Sequence, residues 1–289
     1  MKVTGFTFIR NAIIYDYPVV EAIRSILPIC DDFVVAVGNS DDETLELIKS
    51  IDPVKIRIIQ TTWDDSLRKG GQVLAIETDK AFQAISADSD WAFYIQGDEV
   101  VHEKYLEVIK NAMIKWKDHP EIDGLLFNYL HFYGSYDYVG SSSQWYPNEI
   151  RVIRNTKSIY SYRDAQGFRK DDNQKLRVKA IDAYMYHYGW VKEPAVMQLK
   201  RENFHKLWHS DTWLEKNVAK KGEFEYSGID ALQLFNGTHP SVIHDRIAKK
   251  NWKFDYDIAF SNLSMKDKFK LFLRKYFGIE IGYRNYIKT

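Results

Sequence analysis

Residues 91–100 constrain the fold of this chain more than any other segment. The segment opens with five apolar residues in an unbroken run, which is typical of a strand buried on both faces of a sheet. Residues 97–99, Gly-Asp-Glu, break this strand abruptly. Apolar residues then recur at helical spacing over residues 101–116, with charged residues between them. The pattern predicts a buried strand, a tight acidic turn and a helix.

The preceding part of the chain repeats this alternation of strand and helix. Apolar runs predict strands, and apolar faces at helical spacing predict helices after Pro18, after Thr44 and over residues 72–85. The three predicted strands are residues 3–9, 33–37 and 55–60. Strands that alternate with helices indicate a largely parallel sheet. Ligands of such sheets bind beyond the carboxyl ends of the strands, where the acidic turn lies.

The pattern changes after residue 120. Strands are predicted over residues 124–133, 149–154 and 183–191, and a Gly-, Ser- and Tyr-rich loop over residues 134–147 has the composition of an active-site flap. Helices dominate from Pro194 onward. We therefore predict a first domain over residues 1–193 and a mainly helical C-terminal extension, residues 194–289, that packs on it.

Charge and cysteine content exclude several classes of protein. The 40 basic and 40 acidic residues cancel, so no global field favours nucleic acid. The single cysteine, Cys30, excludes an internal disulfide and a multi-cysteine metal site, and it fits a reducing compartment. The N-terminal residues lack the apolar run of a signal peptide, and no apolar stretch of about 18 residues occurs. We expect a cytoplasmic protein.

Three segments resemble family 2 glycosyltransferases of the GT-A fold. Residues 8–11 (FIRN) resemble the first strand and its Arg-Asn turn, residues 34–44 (VVAVGNSDDET) the nucleotide-side segment, and residues 94–100 (YIQGDEV) the region of the Asp-x-Asp motif. The resemblance covers roughly residues 1–190, and the runs at residues 96–99 (QGDE), 164–169 (DAQGFR) and 187–191 (HYGWV) resemble those of a bacterial subgroup. It implies an α/β, GT-A-like nucleotide-diphospho-sugar transferase: a mixed, mostly parallel sheet flanked by helices, with a helical C-terminal extension.

The chain departs from the family pattern at two places. The acidic residue that the family carries after its second strand would fall near Ala36 or Val37, which are apolar, and Asp41 is the candidate substitute. Gln96 replaces the first Asp of the Asp-x-Asp motif, whereas Asp98 matches the second.

The resemblance implies a divalent cation, Mn²⁺ or Mg²⁺, held by Asp98. Such cations prefer oxygen ligands and need only one or two carboxylates when substrate phosphates and water supply the rest. Glu99 and the late-strand His187 are the further candidate ligands. The alternatives are a turn residue for Asp98, a carboxylate that complements a helix dipole for Glu99, and a structural imidazole for His187.

The candidate contacts to the nucleotide sugar are Arg10, Asn11, Asp41, Lys69 and Gln96. Lys69 belongs to an Arg-Lys-Gly-Gly run that precedes a predicted helix, where amide donors suit an anion. A basic surface loop is the alternative interpretation of this run. Gln96 is expected to hydrogen-bond a ribose or sugar hydroxyl.

Transfer to a hydroxyl also needs a general base, for which a carboxylate is suited. In the subgroup that the chain resembles, the base follows an Arg-rich strand, here residues 149–154, so the resemblance implies the next acidic residue, Asp164, with Glu149 as the second candidate. A surface ion pair with Arg163 or Arg169 is the alternative for Asp164. Arg151 and Arg154, on the strand that starts near Glu149, are placed on one face and could bind diphosphate or remain solvated.

The function implied is metal-dependent, inverting transfer of a hexosyl group from a nucleotide-diphosphate sugar, foremost a UDP-sugar. The acceptor would be a hydroxyl of a cell-envelope glycan or a lipid-linked glycan. A sugar nucleotidyltransferase would carry a Gly-rich loop after the first strand, which is absent here. A non-catalytic carbohydrate- or nucleotide-binding protein of the same fold is the other alternative.

The C-terminal segment adds one more expectation. Residues 249–288 contain ten Lys or Arg against four Asp or Glu. Aromatic residues share one face of a predicted helix there, so this tail could make peripheral contact with the inner face of an anionic membrane. The alternative is a helix that packs on the domain and exposes its basic face.

Overall fold

The computed structural model describes residues 1–217, 222–278 and 281–289. Strands and helices alternate as far as β4, and strands dominate from there to residue 190. The strands are β1 Val3–Ile9, β2 Asp32–Gly38, β3 Ile56–Thr61, β4 Trp91–Tyr94, β5 Glu99–Val101, β6 Gly124–Tyr133, β7 Tyr138–Gly140, β8 Asn148–Arg154, β9 Ile159–Tyr162, β10 Gly167–Lys170, β11 Gln174–Trp190, β12 Leu232–Leu234 and β13 Tyr286–Lys288. The helices are α1 Val19–Ile26, α2 Thr44–Lys49, α3 Gln72–Gln83, α4 Leu106–Trp116, α5 Pro194–Lys206, α6 Asp211–Asn217, α7 His244–Ala248 and α8 Met265–Phe277.

The main sheet has the strand order β3-β2-β1-β4-β8-β6-β11-β10-β9. Its first four strands are all parallel. From β8 onward the sheet is mixed, because β8 is antiparallel to both β4 and β6, whereas β6 and β11 are parallel. The mixed α/β sheet flanked by helices that the sequence predicts is confirmed, with its uniformly parallel part in the N-terminal half.

Alternate residues of the central strands form two separate cores. Val35 and Phe93 face the side covered by α1 and α4, whereas Val34, Ala36 and Ala92 face the side covered by α3. All five are almost fully buried. Burial on both faces is what an uninterrupted apolar run requires, and it explains why β2 and β4 were recognisable in the sequence.

The acidic turn is followed by a strand before the helix begins. Residues 99–101 form β5, which pairs antiparallel with the end of β11, and the α-helix starts only at Leu106. The apolar side chain of Val101 therefore belongs to the sheet and not to a helix. Long-range pairing overrides the local helical spacing here, as tertiary contacts often do.

The part of the chain after residue 193 contributes to the sheet as well as covering it. Its helices, α5 to α8, contain five to thirteen residues each. Its two short strands pair with strands of the first part, β12 antiparallel to β7 and β13 parallel to β11. The domain boundary near residue 194 stays a prediction. None of the helices in the described ranges combines the length and the apolar character needed to cross a membrane.

Candidate functional site

A cleft of about 1200 Å³ opens at the carboxyl ends of β1, β2 and β4. The residues that follow these strands form one wall, and α5 with the loop after it forms the opposite wall. Most of the predicted site residues line this cleft: Arg10, Asn11, Asp41, Lys69, Gln96, Asp98, Asp164 and His187. Glu99 and Glu149 do not. The position agrees with the rule that ligands bind beyond the strand ends of an open sheet.

Asp98 lies at the floor of the cleft, and its side chain is 12% exposed. Its Oδ2 accepts a hydrogen bond of 3.0 Å from Nζ of Lys200 on α5. Burial would raise the pKa of Asp98, but the positive charge of Lys200 and its hydrogen bond outweigh that effect and hold the pKa well below its usual range. Asp98 is therefore ionised at neutral pH.

His187 faces the other oxygen of the same carboxylate, with 3.8 Å between its Nε2 and Oδ1 of Asp98. Its Nδ1 lies 3.3 Å from Nδ1 of His131. Nε2 of His131 in turn lies 2.8 Å from the carbonyl oxygen of Tyr146, which can only accept a hydrogen bond. Burial lowers the pKa of His131 to about 3, and burial also lowers that of His187. Both imidazoles are therefore neutral at pH 7.

These contacts assign a tautomer to each ring. His131 must donate from Nε2 to Tyr146, so its Nδ1 accepts a hydrogen bond from Nδ1 of His187. Nε2 of His187 is then left with its lone pair, directed at the Asp98 carboxylate. Two electron-rich groups face each other across 3.8 Å, and a cation between them would relieve the repulsion.

The geometry fits a divalent cation with two protein ligands. Metal–ligand distances of about 2.1 Å allow one ion to touch two donors that lie up to about 4.2 Å apart. His131 would then act as the outer partner that orients a ligating histidine. Among the described residues no group of three or more acidic, His or Cys side chains could hold a metal. Any further ligands would have to come from substrate phosphates and water.

Glu99 is not available to this site, which corrects its predicted role as a metal ligand. It is fully buried, and Arg151 on β8 binds both of its oxygens, at 2.7 and 2.8 Å. Tyr129 donates a further hydrogen bond of 2.7 Å, and the backbone N–H of Gln96 donates one of 3.1 Å. The alternative of a helix-dipole carboxylate is also wrong, because Glu99 begins a strand. Its lone pairs are used to join β5, β6 and β8.

Arg151 and Arg154 do not share a face of β8, contrary to the prediction. Residues three apart on a strand point to opposite sides of the sheet. Arg151 faces Glu99, whereas Arg154 donates to backbone carbonyls of Trp116, His119 and Ile122 at the other side. The two guanidinium groups therefore cannot act together on a diphosphate.

Asn11 and Asp41 connect the loops that follow β1 and β2. Nδ2 of Asn11 donates to Oδ2 of Asp41 at 3.2 Å, and the backbone N–H of Asp41 donates to Oδ1 of Asn11 at 2.7 Å. Arg10 lies over the ring of Trp63 and donates to Oδ1 of Asp65 at 2.7 Å. Planar and charged groups thus meet at one end of the cleft, a combination suited to a nucleoside.

Asp164 projects into the cleft from the turn between β9 and β10. Its neighbours Arg163 and Ala165 have φ values of 58° and 63°, so the turn is tight. Gln96 donates to the carbonyl oxygen of Ala165 at 3.2 Å and holds this turn against the acidic loop. Burial raises the pKa of Asp164. No salt bridge to Asp164 occurs within the described ranges, so the predicted surface ion pair is not formed there.

Lys69 lies at the mouth of the cleft in the loop before α3, and its side chain is exposed. The next residues, Gly70 and Gly71, both have positive φ, at 62° and 65°. A Cβ on Gly71 would come 2.7 Å from Cβ of Asp164. The second glycine therefore allows this loop to lie against the candidate base.

Two lysines near Asp98, the largely buried Lys200 and the fully buried Lys192, were not found by sequence reasoning. Lys200 bonds Asp98 and the carbonyl oxygen of Gly189, at 2.9 Å. Lys192 is fully buried and donates to the carbonyl oxygen of Asp16, and burial lowers its pKa to about 7. Lys200 is 102 residues from Asp98 in the chain, and nothing in the local pattern of α5 distinguishes it from a solvated lysine.

Glu149 faces a second, smaller cavity next to the cleft. Its Oε2 is buried without a hydrogen-bond partner in the part of the chain that is described. Burial, opposed by the charge of Arg151, raises the pKa of Glu149 to about 8. The structure therefore separates the two predicted bases, since Asp164 lines the large cleft and Glu149 the neighbouring cavity.

No protein-family model and no curated protein sequence matches the chain. Among solved structures, it aligns with S. aureus TarS 1–349 at a TM-score of 0.39 and 13% identity, over 70% of this chain and 64% of that one. It aligns with 4-diphosphocytidyl-2C-methyl-D-erythritol synthase from Anaerococcus prevotii at 0.38 and 11%, over 66% and 91%.

Glucosyl-3-phosphoglycerate synthase from Mycobacterium tuberculosis, crystallised with Mn²⁺, UDP and phosphoglyceric acid, aligns at a TM-score of 0.29 and 17% identity. The match covers 45% of this chain and 43% of that one. The chain thus spans less than two thirds of the length of both TarS 1–349 and this synthase.

Proposed function

We propose that this protein is a glycosyltransferase that moves a sugar from a nucleotide-diphosphate sugar to an acceptor hydroxyl. The observation that carries the proposal is the pairing of Asp98 with His187 in the large cleft. An ionised carboxylate faces the lone pair of a neutral imidazole. Asn11 and Asp41 line the same cleft on one side, and Asp164 lines it as well. This set of groups suits a diphosphate bridged by a cation, a nucleoside and an acceptor.

The chain's own groups would each carry one part of the reaction. A divalent cation, Mn²⁺ or Mg²⁺, bound to Asp98 and His187 would supply positive charge to the leaving diphosphate. Lys200 adds a fixed ammonium beside it, and such preorganised charge stabilises a developing anion more than water does. His131 holds the imidazole of His187 in the tautomer that leaves Nε2 free to bind.

Asp164 is the proposed general base. Its carboxylate would take the proton of the acceptor hydroxyl as the new glycosidic bond forms and the bond to the diphosphate breaks. Partial burial raises its pKa, which brings its basicity closer to that needed for proton transfer near neutral pH. A single displacement of this kind inverts the configuration at the sugar carbon.

The proposed substrates are a donor for the cleft and an acceptor near the C-terminal helix. A hexosyl group carried by UDP is the proposed donor, and a cell-envelope glycan or a lipid-linked glycan is the proposed acceptor. Helix α8 exposes Phe269, Phe272 and Tyr276 together with several lysines, a pattern suited to the cytoplasmic face of an anionic membrane. Co-sedimentation with anionic and with neutral vesicles, for the parent and for Phe272→Ser, would test this contact.

Thermal unfolding in the presence of nucleotide sugars would test the proposed donor. The panel combines UDP-, GDP- and CMP-sugars with Mn²⁺, Mg²⁺ or a chelator, for the parent, Asp98→Asn and the exposed control Asp172→Asn. A donor at a hundredfold excess over its dissociation constant stabilises the fold by about 2.7 kcal/mol. We expect a metal-dependent shift with one donor for the parent and the control, and no shift for Asp98→Asn.

Product analysis would separate the proposed activity from its alternatives. A glycosyltransferase releases the nucleoside diphosphate, whereas a nucleotidyltransferase cleaves at the α-phosphate and forms a nucleoside monophosphate linkage. A binding protein would show the thermal shift without any turnover. A donor shift that survives both the chelator and Asp98→Asn would contradict the metal site.

A further inference from the structure

A second cavity, of about 310 Å³, lies beside the cleft. Residues 143–149 form one side of it, and α8 together with residues 281–286 forms the other. Its volume is at the lower end of the range found for small-molecule sites. The chain thus encloses a separate, ligand-sized space between the start of β8 and its own C-terminal segment.

Two polar side chains in the wall of this cavity are left unsatisfied, and their unpaired atoms have almost no exposed surface. Glu149 and Asn285 are each 3% exposed. Oε2 of Glu149 and both polar atoms of the Asn285 amide have no hydrogen-bond partner among the residues that the structure describes. Leaving a buried donor or acceptor unpaired costs about 1–3 kcal/mol. A bound molecule, either water or a ligand, can complete such groups.

Gly167 leaves room for both of these groups. A Cβ at this position would come 2.3 Å from Nδ2 of Asn285 and 3.1 Å from Oε2 of Glu149. The two polar ends therefore converge over one glycine at the start of β10. Their backbone surroundings are fixed, since Arg169 donates to the carbonyl oxygen of Asn285 at 2.8 Å.

The chemistry of the cavity matches a sugar hydroxyl better than an ion. Burial raises the pKa of Glu149 to about 8, so at neutral pH this group is a carboxylic acid that both donates and accepts. The amide of Asn285 also does both. Hydroxyl groups are the ligands that use a donor and an acceptor at once, and the aromatic rings of Trp145, Tyr146 and Tyr283 in the lining offer apolar faces for a sugar ring.

The rim of the cavity adds positive charge. Lys270 and Arg274 line it from α8. Arg274 is exposed, and Nζ of Lys270 lies 4.0 Å from Oδ1 of Asp267. These two cations would attract an anionic substituent on the same ligand, a carboxylate or a phosphate.

We propose that this cavity binds an acidic saccharide unit, with a hydroxyl that enters the wall between Glu149 and Asn285 and its anionic group at Lys270 and Arg274. Tyr146 and Gln166 line both this cavity and the cleft. A saccharide held here would therefore lie next to the donor site, as part of the acceptor. The assignment to the acceptor rests on the proposed function, whereas the binding itself does not.

Saturation-transfer NMR titrations without nucleotide or metal would test the binding. The probes are glucuronic acid, glucose 1-phosphate and unmodified glucose, and the first two distinguish a carboxylate from a phosphate as the preferred anion. The variants are Asn285→Leu, the double variant Lys270→Gln/Arg274→Gln at the rim, and the matched control Lys268→Gln on an exposed position of α8. Circular dichroism would verify that each variant is folded.

We expect one of the acidic sugars to bind the parent and the Lys268→Gln control equally. The double variant should weaken that binding at least about tenfold, to the level of glucose, because the loss of even one charged hydrogen bond is worth about a factor of ten. Asn285→Leu should weaken acidic and neutral sugars alike. If Asn285→Leu does not fold, the surface double variant still decides the outcome.

Two results would overturn the inference: no acidic sugar binds the parent, or the double variant binds as tightly as the parent. Failure of the proposed function looks different. In that case no nucleotide sugar stabilises the parent in the thermal assay, while the acidic saccharide still binds at the second cavity. A donor shift in the thermal assay without any saccharide binding would support the proposed function and overturn the inference about the second cavity.

Discussion

The ion pair between Arg151 and Glu99 offers the sharpest test of how the site is supported. Both side chains are at most 1% exposed, and two hydrogen bonds of 2.7 and 2.8 Å join them. Arg151→Met would leave the Glu99 carboxylate buried without a counter-charge. Breaking a buried pair from one side costs about 3–5 kcal/mol, a large part of the 5–15 kcal/mol that is typical of a whole protein.

Urea unfolding, followed by tryptophan fluorescence, would measure this loss as a change in the free energy of unfolding. The double variant Glu99→Leu/Arg151→Met should recover most of the stability, because it removes both charges together. Lys49→Met is the matched control, since Lys49 bonds Glu46 at the same 2.7 Å but both side chains are more than half exposed. That exposed pair should contribute no more than about 1 kcal/mol.

If Arg151→Met lowers the free energy of unfolding by less than about 1 kcal/mol, the pair behaves like an exposed one, and the argument from its burial is refuted. Manganese titration of the double variant gives a second check. It should bind Mn²⁺ as tightly as the parent, because Glu99 points at Arg151 and not at Asp98. Loss of Mn²⁺ binding in a folded double variant would indicate instead that Glu99 is a metal ligand.

Three further predictions concern Glu149, Gly189 and Cys30. Burial raises the pKa of Glu149 from 4.5 to about 8. The free energy of unfolding should therefore fall by about 1.4 kcal/mol per pH unit as the pH rises between these values. In urea titrations Glu149→Gln should flatten this pH dependence, and an unchanged slope would contradict the prediction. A Cβ on Gly189 would come 2.7 Å from Nε2 of His187 and 2.8 Å from Oδ2 of Asp98. Calorimetry should therefore show that Gly189→Ala weakens Mn²⁺ binding at least about tenfold, whereas the control Gly228→Ala, whose Cβ would lie in open space, leaves it unchanged. Cys30 is buried and burial raises its thiol pKa, so an aromatic disulfide reagent should react with it only in denaturant, and fast reaction of the native protein would refute this.

The parts of the fold that the sequence predicted are those encoded by neighbouring residues. The runs that form β2 and β4 are apolar because both of their faces are buried. Asp98 was predicted as a site residue because it follows such an apolar run closely in the sequence. The positions of Asp98 and Asp164 in one cleft were likewise expected. Their chemical roles stay predictions.

The parts that were missed depend on contacts between distant residues. Arg151 and Glu99 are 52 residues apart and meet only through the register of β5, β6 and β8. Lys200 reaches Asp98 across 102 residues from a helix whose local pattern resembles a solvated surface. A strand as short as β5 carries too few residues for a period of two to be visible. Side-chain partners of this kind require the three-dimensional pairing itself.

Tyr146 and Gln166 form a wall that the large cleft and the smaller cavity share. The carbonyl oxygen of Tyr146 also fixes His131, and through it His187. A molecule that shifts this wall from one side therefore changes the free energy of binding on the other. Thermodynamic linkage makes the effect reciprocal, so a saccharide that tightens donor binding must itself be bound more tightly by the donor-loaded protein, by the same factor.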